Sequence, residues 1–389
     1  MSDANHLAAS PLPRFFAVDE PGLHGVAARP ADRETVRLTV RSLSVMQKEA
    51  VVVSGGDGRA WRLTSDEGDY LDGFDEAPPP LAFLSAGMVA SYMDELLALA
   101  EARGLDARGA ELTLDNFYTM QGSALRGTMV AGAAEPVLTV ACPALAVDRD
   151  TMLALLFDAA GASPMYGLVS GARAGTFALV HNGVRCDPGD IGVEPDAIEP
   201  AGDAGFDRLS PAAGAWHGLL VKGGSTARTN EADSGPGSSL AETQDRRLHI
   251  RAVCTLREDG LKQIAQSMFN PLGSMFTFLS DATGERAPDA GAYVAAGIGF
   301  CFMTQIGRYA KIRRRDLTRY AIVQDIDFSR GGASGGTGAP GRASAPRTTV
   351  DLTTSEDADF ARDLLKMGEQ TCFLHALCKT PLRTRIRLR

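Results

Sequence analysis

Two thiols in this 389-residue chain are candidates for chemistry. Cys301 lies near the middle of Gly291–Ala310 (GAYVAAGIGFCFMTQIGRYA), a small-residue stretch that reads as a buried helix. Cys372 lies on a second helix late in the chain, within TCFLHALC. A cysteine attacks as its thiolate, so its free pKa of about 8.5 has to be lowered by a cation or a helix N-terminus. Pairing depends on reach, because a disulfide needs Cα atoms within about 7 Å. The plainer alternative is packing, since free cysteines are among the most buried residue types. His375 follows Cys372 by three residues on the same helical face. That spacing allows a Cys–His nucleophile, although a helix-surface histidine is the simpler reading. Cys142, Cys186, Cys254 and Cys378 read as structural thiols, with Cys378 on a different helical face from Cys372. There is no CxxC, HxH or HxxxH spacing, so neither a metal site nor a cofactor is expected.

The composition is that of a globular chain, with 44% hydrophobic and 22% charged residues. A net charge of −9 argues against nucleic acid as a partner, since phosphate binding needs a basic face. The sparse, scattered cysteines do not form a secreted disulfide framework. The N-terminal MSDANHLAASPLPRFF lacks the pattern of a secretory signal. The longest apolar run, Tyr293–Met303, falls short of the roughly 18 residues of a membrane helix. A cytoplasmic protein without a membrane partner is the expectation.

Periodicity places these thiols among alternating strands and helices. After an arm (1–30), Glu34–Met46 alternates apolar and polar residues as a strand, and Ala50–Val53 and Arg59–Thr64 follow around the turn SGGDG. That turn lacks the GK[ST] ending of a phosphate loop. Leu81–Arg103 is a long helix stopped by Gly104. Strands at Ala110–Tyr118 and Glu135–Cys142 precede a helix from Asp148 or Asp150 to Gly161, which continues or kinks at Pro164 before a strand at Thr176–His181. Residues 187–245 read as a linker, with STARTNEADSGPGSS its most linker-like part and a short strand near Leu219–Val221. The order then restarts. Strands at His249–Leu256, Leu261–Gln266 and Met275–Ser280 lead to the Cys301 helix, which the cationic run KIRRR closes. A strand at Tyr320–Phe328, a flexible loop at 329–347, a strand at Thr348–Thr353, a helix to Leu377 and a last strand at Arg383–Arg389 complete it.

The two halves therefore share one order of elements, and they align with few gaps. Ala86-Gly87 matches Ala296-Gly297, Ser91 matches Cys301, and Met93 matches Met303, at an offset of 210 residues. Ser163 falls on Cys372 at an offset of 209. Two units indicate a duplicated domain rather than a solenoid. DEAPPPLAFLSAGMVASY and ERAPDAGAYVAAGIGFCF both resemble the central-helix segment of the OsmC/Ohr family, and TCFLHALC resembles that family's second-cysteine helix.

The resemblance implies an α+β fold of two tandem OsmC-like units, each with antiparallel strands packed on two helices. They would form an intrachain pseudo-dimer around two long central helices. Repeat 1 would span 31–186, with Ser91 and Ser163 in place of the thiols, and repeat 2 would span 246–389. The resemblance also implies thiol-dependent reduction of organic hydroperoxides. Cys301 would be the peroxidatic residue, Cys372 the resolving one, and an external dithiol the reductant. The family's thiolate-holding arginine would be Arg257 in LREDG. Its glutamate lacks a clean match: Gly291 occupies the position, with Asp289 near it and Glu285 further back. That departure, the thiol-free first half and the linker also suit an alternative. In it the chain is an OsmC-like binding or assembly subunit that takes a small apolar ligand or a further protein partner, without peroxidase activity.

Overall fold

A computed structural model describes residues 4–18, 33–55, 60–143, 147–196, 203–225 and 244–389. Its first half comprises α1 (His6–Ala9), β1 (Phe16–Ala17), β2 (Arg33–Ser42), β3 (Lys48–Ser54), β4 (Ala60–Ser65), α2 (Pro80–Ala102), β5 (Glu111–Gly122), β6 (Val130–Ala141), α3 (Arg149–Ala162), α4 (Pro164–Ser170), β7 (Thr176–His181) and β8 (Val184–Cys186). Next come α5 (Asp203–Phe206) and β9 (Leu220–Ser225). The second half comprises β10 (Gln244–Leu256), β11 (Lys262–Asn270), β12 (Ser274–Ser280), α6 (Ala290–Arg313), β13 (Arg319–Ser329), β14 (Arg347–Thr353), α7 (Ala358–Thr371), α8 (Phe373–Lys379) and β15 (Arg385–Leu388). Much of the expected N-terminal arm, most of the SGGDG turn and nearly all of STARTNEADSGPGSS lie outside the described residues.

The fold is mixed α+β, with two sheets that each combine strands from both halves. One runs β1-β4-β3-β2-β13-β14-β7-β8 and the other β15-β6-β5-β10-β11-β12-β9. The halves join at two antiparallel seams, and at two parallel ones where β14 lies on β7 and β15 on β6. β13 lies on β2 from Ala321 opposite Arg41 to Ser329 opposite Arg33. β10 lies on β5 from Gln244 opposite Gly122 to Thr255 opposite Glu111. Register is fixed at the second seam by alternation: Leu248, Ile250, Ala252 and Cys254 point inward, while Arg247 and Arg251 remain on the outer face.

The inner faces enclose α2 and α6, which cross in direct contact. Small residues permit the approach. A Cβ on Gly87 would lie 2.5 Å from the Ala290 carbonyl oxygen, and one on Gly297 would lie 2.8 Å from the Leu84 nitrogen. Both helices are long and apolar enough to cross a membrane, contrary to the reading from apolar runs alone. Of their most apolar windows, 83% and 94% respectively is buried inside the fold. A helix apolar on all sides suits a central position between two sheets.

Two further sequence expectations change. The late helix is broken at Cys372 into α7 and α8 rather than running through to Leu377. The loop at 329–347 is fastened rather than free. The buried Glu95 carboxylate accepts the Ala333 amide at 2.8 Å and the Ser334 amide at 3.2 Å, and also takes the Ser334 hydroxyl.

Candidate active site

α6 begins where Asp289 accepts the Ala292 amide at 2.8 Å, a side-chain N-cap. It ends at Arg314, in the left-handed region, with Lys311 and Arg313 in the last turn. Cys301 sits midway along it, 2% exposed. α7 packs against α6, with Gly368 set close to Ile306 and Phe302, and stops at Cys372. The Cys372 sulfur then caps α8, accepting the His375 amide at 3.5 Å. The break leaves the second thiol near enough to the first for Cys301 to perturb it electrostatically. Both are free thiols.

Burial, and secondarily the neighbouring Cys301, push the Cys372 thiol well above its ordinary value. Cys372 is therefore protonated at rest. His375 is enclosed rather than on a helix surface, with its Nδ1 3.2 Å from the Cys372 sulfur. Burial pushes it down to about 4, so it is neutral at pH 7 and is not the cation that a thiolate needs. Cys378 is also buried, and burial pushes it up to about 12. The Tyr118 hydroxyl lies in the electrostatic range of all three thiols and has no hydrogen-bond partner among the described residues.

The cation comes from the other half of the chain. Lys48, the first residue of β3, is fully buried within range of Cys301. Its ammonium donates to the Met46 carbonyl at 2.9 Å and the Val45 carbonyl at 3.3 Å. Burial pushes it down to about 8, against the opposing pull of Glu67, Asp66 and Cys301. Glu67 follows β4 and faces Thr304, one turn beyond Cys301. It accepts the Tyr70 hydroxyl at 2.7 Å, and burial raises its carboxyl to about 7. Asp66 holds the Gln47 side chain at 3.0 Å and the Glu76 amide at 3.1 Å.

Arg257 is elsewhere. It pairs with Asp259 at 2.9 Å in the exposed turn between β10 and β11. Asp289 is the helix cap and also takes the Ser54 hydroxyl at 2.5 Å, and Glu285 is exposed. Lys48 is thus the cation in range of Cys301, with Glu67 in range of Lys48, whereas Arg257 and Asp289 are engaged in other contacts. The available signal was a lysine at the head of a strand with a long apolar run, KEAVVV, which recurs as Lys262 at the head of β11.

A matching arrangement without thiols surrounds α2. The Ser91 hydroxyl lies 2.8 Å from that of Ser163, at the break between α3 and α4. Ser163 caps α4 through the Met165 amide at 3.2 Å. The buried Lys262 is bonded to Asp94, three residues beyond Ser91. Here the cation is tied to a carboxylate, and among the described residues no base is hydrogen-bonded to the hydroxyl pair.

Residues 282–387 match the family model for OsmC-like protein. The chain carries an OsmC-like domain. The matched span opens just ahead of α6 and closes within β15, so it includes both Cys301 and Cys372. No curated protein and no solved structure matches the chain. Among the described residues, no group of three His, Cys, Asp or Glu side chains is arranged to hold a metal ion.

Proposed function

We propose that this OsmC-like chain reduces organic hydroperoxides with Cys301 as the peroxidatic thiol and Cys372 as the resolving one. The observation that carries the reading is the pair of buried, electrostatically coupled thiols on the OsmC-like domain, with one lysine in range. In the first step the Cys301 thiolate attacks the terminal peroxide oxygen. The O–O bond breaks, the alkoxide leaves with a proton as an alcohol, and Cys301 becomes a sulfenic acid. Cys372 then attacks the Cys301 sulfur, giving the disulfide and one water. An external dithiol returns both thiols and is itself oxidised. Lys48 stabilises the attacking thiolate, and Glu67 holds the charge of Lys48 in place.

The same reading treats 31–186 and 246–389 as two copies of one unit, folded as a pseudo-dimer in which each contributes to the other's site. Only the second copy has the thiols. Consumption of cumene hydroperoxide with dithiothreitol as reductant tests the assignment. Cys301→Ser should abolish turnover, and Cys372→Ser should stop it after a single sulfenic acid has formed. Undiminished turnover in Cys301→Ser would overturn the nucleophile.

A further inference from the structure

Thiol oxidation by itself leaves His375 without a role, yet its geometry beside Cys372 is that of an acid–base couple. The imidazole Nδ1 lies 3.2 Å from the Cys372 sulfur, and the His375 amide donates to the same sulfur at 3.5 Å. Both side chains are buried. The Cys372 thiol is protonated at rest, so its S–H is the donor in this contact and Nδ1 the acceptor. The ring proton is then on Nε2, which has no partner among the described residues. Packing holds the ring in this orientation. Phe302 of α6 and Phe177 of β7 lie against it, with centroids 5.0 and 5.5 Å away. Gly175 closes another side, where a Cβ would come within 3.2 Å of the ring Cδ2 and 3.4 Å of Nε2. The imidazole accompanies the thiol: three residues past Ser163, in the half without thiols, stands Tyr166.

We propose that His375 is the general base of disulfide closure, taking the Cys372 proton at Nδ1 as the Cys372 sulfur attacks Cys301. As a step in turnover, this role rests on the peroxidase reading. The Cys372 S–H bond breaks, and a sulfur electron pair forms the S–S bond. The S–O bond of the Cys301 sulfenic acid breaks, and its pair leaves with hydroxide. Cys372 is oxidised and the Cys301 sulfur reduced to the disulfide level. Hydroxide takes the proton from His375, water departs, and the imidazole is neutral again. Burial raises the thiol and pushes the imidazole down to about 4, so the pair rests uncharged and the proton moves only as the S–S bond forms. Among the described residues the charged groups acting on His375 are Glu369 and Lys379, bonded to each other at 2.8 Å.

Diamide tests closure without any peroxide, because it adds to the Cys301 sulfur and is displaced as the hydrazine by Cys372. Mass spectrometry of the full chain would follow decay of the Cys301 adduct to the disulfide from pH 6 to 9. In the unaltered chain the rate should be flat, since His375 is neutral throughout that range. His375→Asn keeps an acceptor oxygen but is no base, and should slow closure by about a hundredfold at pH 7, the low end for a general base. Its rate should then climb about tenfold per pH unit, because solvent has to ionise the thiol. His375→Gln should behave alike, and a buried Cys254 left unlabelled shows that each variant keeps its fold. Closure at the parent rate in both variants, or slower closure with an unchanged pH profile, would overturn the base. If closure depends on His375 and no hydroperoxide is consumed, the base stands and the peroxidase reading fails. If cumene hydroperoxide is consumed and closure is indifferent to His375, the reverse holds.

Discussion

Replacing Lys48 by methionine separates the chemical role of this residue from a structural one. The displacement of its ammonium from 10.5 to about 8 amounts to a cost of about 3 kcal/mol for holding the charge inside the fold. The sign is that of a buried base. The cost is fully present below pH 8 and is relieved as pH rises from 8 toward 10.5. A residue so placed contributes little as a stabiliser. At an effective dielectric of about 20, a unit positive charge acting on a thiolate over about 5–8 Å is worth about 2–3 kcal/mol, on the order of a hundredfold in rate. Lys48→Met should therefore slow reaction of Cys301 with peroxide by about a hundredfold at pH 7. The gap should narrow above pH 8, where the unaltered protein loses the lysine proton. Single-turnover thiol loss, followed from pH 6 to 10 in the Cys372→Ser background, measures both. Equal rates in the two proteins at pH 7 would refute the role given to Lys48.

Other substitutions test neighbouring parts of the argument. Ser91→Cys with Ser163→Cys places two sulfurs where hydroxyls now lie 2.8 Å apart. Diamide should then remove two thiols more than in the parent, and an unchanged count would show that the two breaks are not equivalent. Gly297→Ala would press a methyl group against the Leu84 nitrogen and the Pro80 oxygen, at 2.8 and 3.1 Å. Backbone cannot move aside cheaply, so stability should fall by about 1–3 kcal/mol in urea unfolding. Glu95→Ala strands the Ala333 and Ser334 donors, at about 2–3 kcal/mol, and should open residues 329–347 to protease. Resistance equal to the parent would show that the loop is held by other contacts.

The regular elements were legible because their periods are long and clean. Val36, Leu38 and Val40 alternate along β2, and Leu84, Met88, Tyr92 and Leu96 follow one face of α2. The breaks were harder. Pro164 marks the one between α3 and α4, but nothing in GEQTCFLHALC marks the end of α7, which depends on a sulfur replacing a cap. That hidden break is why His375 read as a surface residue and Cys378 as remote. Lys48 and Glu67 were illegible for a different reason. Their relation to Cys301 depends on which half's strands complete which sheet, and local spacing carries no information about the β2–β13 seam.

That seam leads to a last prediction. If the halves are copies that complete each other, residues 244–389 expressed alone lack β5 beside β10 and β2 beside β13. An open strand edge flanked by an apolar helix such as α6 does not persist in water. The fragment should therefore be absent as a folded monomer and should pair with itself, each copy's β10 and β11 standing in for β2 and β3. In such a homodimer Lys262 would take the place of Lys48, since each leads the second strand of its repeat. Thr304 would stand where Asp94 now binds Lys262, leaving the lysine untied and the Cys301 site with a cation but without Glu67. Sedimentation should report a dimer, and thiol loss on peroxide should occur at both sites. A folded, reactive monomer would show instead that Cys301 needs nothing from the first half, and the roles given to Lys48 and Glu67 would fall with it.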